Sequence, residues 1–358
     1  MPPSDLPGAV DTPATESPER IFPFVVKMCF WSAVVVVVGF FALFALLLAL
    51  AVVFREDDMP YVARRTDEGA WSLGPAPTVA VDLPLASIRV LPSPDDRVAA
   101  SLEVEVITDV PQAKADRTLA AVGSAYRVEG GGLIVATPRP FNLASGPRFA
   151  LTLQVPVGAS LDLRTANGPV EVGEPARPVV ARSIRVRNDS SLRSHMNGGD
   201  VWDGDVRIEC RAFAPPGQTP APVALDVEAP GLIRVEADRA TVRVVARHGL
   251  PPAYWGPAGI RSYEDGVEGS VAVRATLVGA ANSIRAAHRI RLDLPPDASL
   301  RYDAEATGGA VAVDSFPTLV ESGDGRIRRA GTLGAGPGRG ASGLLRTDAG
   351  PIRIDPRP

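Results

Sequence analysis

Lysine, cysteine and histidine are scarce in this 358-residue chain. Lys stands only at 27 and 114, Cys at 29 and 210, and His at 195, 248 and 288. One cysteine lies inside an apolar run and the other far beyond it, so a disulfide scaffold is excluded. Cys210 reads as a small buried apolar residue of a strand. Cys29 is a tolerated apolar residue or a palmitoylation site at a membrane edge. No His has a His or Cys partner at ligand spacing, so the residues call for no metal and no cofactor. The net charge is only −4 and the two signs are interspersed. Without a visible basic stripe a nucleic-acid partner is not expected. Walker loops, Gly-x-Ser-x-Gly elbows and His-Glu-x-x-His are also missing. Helical periodicity is confined to one short stretch, Gln112–Ala121, outside the apolar run.

The chain does contain a 27-residue run without charge, Met28 to Phe54. As a helix it would reach about 40 Å, more than the roughly 30 Å hydrocarbon core. A cleaved signal peptide would have a shorter apolar region and a small-x-small site, whereas this run leads into Arg55-Glu56-Asp57-Asp58. The reading is an uncleaved, single-pass transmembrane helix over 28–54. Residues 1–27, rich in Pro and acid, are read as a disordered tail, and 55–77 as a juxtamembrane linker. Lys and Arg alone do not orient the span. The acids that follow it favour an inside N-terminus and a C-terminal domain outside the cytoplasm, at the cell membrane.

Residues 78–358 alternate apolar and polar with period two, in short stretches punctuated by Gly, Pro, Asn and Asp. They predict an all-β domain, with a possible break at 214–222. A repeat is legible within it. Leu163-Arg-Thr-Ala-Asn-Gly-Pro-Val-Glu-Val172 returns as Leu345-Arg-Thr-Asp-Ala-Gly-Pro-Ile-Arg-Ile354. Its core, Gly-x-apolar-x-apolar, starts at Gly168, Gly204, Gly231, Gly269, Gly309 and Gly350. One such unit cannot bury its apolar face alone, so neighbours must stack. This predicts a β-solenoid, a parallel β-helix-like repeat domain; the alternative is a β-sandwich with ordinary Gly turns.

These phrases, together with Val155-Pro-Val-Gly-Ala-Ser-Leu161, resemble the bacterial putative-adhesin family, a domain of unknown function. The likeness covers roughly 78–358. It implies a repetitive β-solenoid behind a membrane anchor in the cell envelope. Its motifs are structural, so it brings no catalytic residues.

Candidate chemistry is thin. Asp200, Asp203 and Asp205 alternate near a turn and could pair as in polysaccharide-cleaving β-helices, or could simply be turn residues. Gly130–Gly132 and Gly334–Gly340 lack the following helix that a phosphate cradle needs. The candidate ligand-binding residues are Tyr254, Trp255 and Tyr263, aromatic residues with polar tips on one loop. The alternative is that these rings cap the stack against water. The expected function is non-enzymatic: a membrane-anchored protein displaying its β domain for adhesion, binding or scaffolding. Its partners would be the membrane and an envelope polysaccharide or another protein. An envelope-sensing protein and a polysaccharide-acting enzyme are the alternatives.

Overall fold

The computed structural model describes residues 27, 30–47, 61–108, 112–123, 125–137, 147–189, 204–247, 269–296, 298–307, 311–313, 316–318, 326–333 and 341–356. Two compact units result, 1–60 and 61–358. In the first, α1 (Phe30–Leu47) has a mean hydropathy of 2.6 and none of it is buried. Eighteen residues rise about 27 Å, so by length and composition α1 can cross a membrane. Such a helix serves as an anchor or as a signal sequence.

Among its described residues the second unit is all-β apart from one helix. It opens with β1 (Tyr61–Trp71), β2 (Thr78–Pro92) and β3 (Val98–Thr108), followed by α2 (Gln112–Ala121). A hairpin of β4 (Tyr126–Glu129) and β5 (Gly132–Ala136) leads to β6 (Arg148–Val155), β7 (Ala159–Asn167) and β8 (Val170–Val172). Then come β9 (Val179–Asn188), β10 (Val206–Ala212), β11 (Val223–Ala229), β12 (Ile233–Ala246) and β13 (Val271–Leu277). β14 (Asn282–Ala286), β15 (Ile290–Leu294), β16 (Leu300–Thr307), β17 (Val311–Val313) and β18 (Phe316–Thr318) follow. The last are β19 (Arg326–Leu333), β20 (Ala341–Thr347) and β21 (Ile352–Pro356).

These strands build two parallel ladders. The first runs β5, the start of β2, β7, β9, β11, the end of β12, β14, β20, β16. The second runs β6, the end of β2, β8, β10, the start of β12, β13, β15, β21, β17. Registry places one inward residue of each layer directly over the next. In the first ladder the column is Val135, Val81, Leu163, Val186, Val227, Val244, Ile284, Leu345, Ala304. In the second it is Leu151, Ile88, Val170, Val206, Ile233, Val271, Ile290, Ile352, Val311. No member of either column is more than 2% exposed. Burying each such aliphatic side chain contributes about 1.5–3 kcal/mol, Ala less. The period-two alternation therefore has a direct cause: within each strand every second residue fills a column and the residues between face outward. In-register parallel pairing favours a wound repeat over a β-sandwich, whose strands pair antiparallel.

Layer order departs from chain order at both ends. β2 lies between the β5/β6 layer and the β7/β8 layer, although it precedes all four strands. β20 and β21 lie between the β14/β15 layer and the β16/β17 layer, although they follow both. Antiparallel strands close each end: β4 on β5, and β3 then β1 on β6, at one; β19 on β16 and β18 on β17 at the other. An uncapped parallel stack would present a template for further chains. The stretch read as a linker, 55–77, therefore contains a structural strand. β1 pairs with β3 along its whole length and starts the β body at Tyr61. Both of its faces carry charged residues and only Ala63 is buried, so no apolar alternation marks it in the sequence. The isolated helical period at 112–121 forms α2, whose Ala115 packs against Ala63 of β1 and Val106 of β3.

The repeat glycines mark the corner between the ladders. Gly231 N–H donates to the Gly204 carbonyl (3.2 Å), Gly269 N–H to Gly231 (3.3 Å) and His288 N–H to Gly269 (3.1 Å). Corners thus stack as closely as strands do. The β14/β15 corner is Ala287-His288-Arg289, with no glycine, which is why that layer was invisible as a repeat.

Candidate functional site

Most sequence-predicted site residues fall where the structure is silent. Tyr254, Trp255 and Tyr263 lie outside the described residues, as do Asp200, Asp203, His195 and Cys29. Asp205 is a corner residue: its carboxylate accepts the Leu232 N–H at 2.8 Å and so ties one layer to the next. His288 occupies the corner already described. Gly130 and Gly131 form the tight turn of the β4–β5 hairpin, so the strand-loop reading of that stretch holds. Cys210 is buried, and that burial pushes its thiol up to about 12, which makes it inert. The proposed break at 214–222 is an irregular connection between β10 and β11 within one compact unit.

Among the concavities of the described surface is a groove of about 400 Å³ beside the second ladder. Pro175, Pro178 and Pro295 contribute to its lining, with charged side chains and a few small uncharged residues between them. Registry places Glu209 opposite Glu236 and Glu236 opposite Arg274. Glu236 pairs with Arg274 at 3.4 Å. Glu209 is only 8% exposed and meets the more open Arg207 at 3.3 Å. Burial, and then the Glu236 charge, push the Glu209 carboxyl above its ordinary range, and the Arg207 contact offsets only part of this. Asp238 is committed to the backbone. It sits at a β-bulge between Ala237 and Arg239 and accepts the Ala212 N–H at 2.8 Å and the Arg239 N–H at 2.7 Å. The groove is therefore lined by charges of both signs, with two carboxylates adjacent in one row.

A raised carboxyl has a defined pH signature. The folded state holds the Glu209 proton to higher pH than the unfolded chain does. Stability is thus lost as pH rises from the ordinary carboxylate range through the folded value. Glu209→Gln should remove this loss. Variant minus wild-type melting temperature should be more positive at pH 7 than at pH 4; equal differences would contradict the assignment.

The outer face of the first ladder is built from ion pairs. Asp226 accepts Arg187 at 2.6 Å and Arg243 at 2.9 Å, with Arg185 at 3.4 Å. Partial burial raises its carboxyl, but these guanidinium bonds outweigh that and hold it below the ordinary range. Arg187 also meets Glu228 at 3.5 Å, which pairs with Arg247. In the second ladder, registry lines up Arg207 with Arg234, and Arg291 with Arg353. The acids of the neighbouring row neutralise much of this row, so the face is zwitterionic.

Glu209, Glu236 and Arg274 were missed, yet a signal existed. Each lies five positions after a repeat glycine: Gly204, Gly231 and Gly269. Aligning the repeats at their glycines brings the three into one row.

No family model matches the chain, and no curated protein matches it either. Among solved structures it is similar to a putative cell adhesion protein from Clostridium sporogenes, with 8% identity over 82% of this chain and 100% of that one, TM-score 0.27. It is also similar to a putative adhesin from Bacteroides fragilis, at 10% identity over 81% and 97%, TM-score 0.28. A putative lipid binding protein from Parabacteroides distasonis gives 12% identity over 81% and 96%, TM-score 0.27. These superpositions are loose, and the functional reading rests on the chain's own geometry.

Proposed function

We propose that the chain is a membrane-anchored, non-enzymatic protein of the cell envelope whose β body, held outside the cytoplasm, serves adhesion, binding or scaffolding. The observation that carries this reading is the pairing of an unburied apolar helix, Phe30–Leu47, with a capped stack of parallel layers. Such a stack holds its outward side chains in fixed rows, a rigid surface suited to recognition. The described carboxylates of the groove support a non-catalytic role, because Glu209, Glu236 and Asp238 are each engaged by an arginine or by backbone amides. Tyr254, Trp255 and Tyr263 are the proposed ligand contacts, with an envelope polysaccharide or another protein as partner. Protease added to spheroplasts should remove the β body while sparing an N-terminal tag. Full protection of the β body would overturn the display reading.

A further inference from the structure

The β20–β21 segment occupies an internal slot whose walls come from elsewhere in the chain. One wall is β14 and β15, the other β16 and β17, and all four strands precede the segment in sequence. The segment bonds to both walls. On the inner side Ser342 N–H donates to Gly279 at 3.0 Å and Asp348 N–H to Ala286 at 3.1 Å, and the Asn282 amide donates to the Ser342 carbonyl at 3.0 Å. On the outer side Ala341 N–H donates to Ser299 at 3.1 Å and Gly350 N–H to Thr307 at 2.9 Å. Leu345, Ile352 and Ile354 complete the apolar columns. Nothing in these contacts depends on chain connectivity, so an identical segment from another molecule would make every one of them. The segment also repeats the β7–β8 phrase, a sequence already fitted to a slot between two layers.

We propose that this slot is a docking site for a second copy of the chain: residues 341–356 of one molecule exchange into the slot between β14–β15 and β16–β17 of another. The exchange links envelope-displayed copies without any new interface chemistry, and it holds whether or not the ligand assignment above is right.

The test uses full-length chain in detergent micelles, in a Cys29→Ser background; Cys210 is buried. Arg285 and Arg346 are in-register neighbours across the inner wall, and their side chains are 60% and 55% exposed. Adjacent parallel strands lie about 4.8 Å apart, within disulfide reach. Arg285→Cys chains and Arg346→Cys chains are mixed, incubated and oxidised. The expected product is a two-chain species whose disulfide maps to 285–346. Its yield should rise with concentration and fall when a synthetic 341–356 peptide is added. The Arg285→Cys/Arg346→Cys double variant should link within one chain when dilute. If that double variant links but mixed single variants stay separate, exchange does not occur. If the double variant fails to link, the slot itself is misassigned.

Discussion

Val170→Asp should unfold the β body or lower its melting temperature by more than about 10 °C. Val170 is fully buried, paired on one side with Ile88 and on the other with Val206. A carboxylate there has no described cationic partner within the column and cannot reach water without displacing layers. An unpaired buried charge costs several kcal/mol, near the upper end for single substitutions. The neighbouring Glu171→Gln is the control. Its side chain is 53% exposed and makes only a 3.9 Å contact with Arg89. Surface changes of this kind stay within about 0.5 kcal/mol. Thermal unfolding by circular dichroism checks both. Equal effects at 170 and 171 would mean that the inward and outward rows are wrongly assigned.

Gly168→Ala should also be severe, at roughly 3 kcal/mol or more, because two penalties coincide. Gly168 has φ +128°, and a Cβ there would overlap the carbonyl of Ala86 in the adjacent layer. That oxygen belongs to backbone, so no side-chain rotation relieves the clash. Its own carbonyl accepts the amide of the buried Asn188 at 2.8 Å, which fixes the corner from the other side. Gly131→Ala separates the two penalties. Gly131 has φ +77° but nothing within 4 Å of the added carbon. It should cost only about 1–2 kcal/mol. Comparable losses at both sites would show that corner packing does not limit this position.

Much of this architecture was legible because repetition and alternation report packing directly. The glycine phrases at 168, 204, 231, 269 and 350 mark corners, and the apolar positions that follow them fill the second ladder. Layer order was not legible. Nothing local to β20 tells it to pair with β14 and β16 at once, since its alternation suits any parallel edge. β1 was missed because only one of its residues, Ala63, is buried, so no apolar alternation marks it. The Glu209–Glu236–Arg274 row was hidden because its members are 27 and 38 residues apart and meet only through parallel registry.

The out-of-order stack is the most demanding part of the account, and paired spin labels test it directly. Arg89, Arg353 and Ala312 belong to one outward row of the second ladder, with Arg353 one layer nearer to Arg89 than Ala312 is. At about 4.8 Å per layer, Arg89→Cys with Arg353→Cys should give a distance near 29 Å, and Arg89→Cys with Ala312→Cys one near 34 Å. Double electron–electron resonance on the Cys29→Ser chain would show the 353 pair closer by about one layer, some 5 Å. The reverse order, with 312 closer than 353, is what a stack following the chain would produce, and it would contradict the interposed strands.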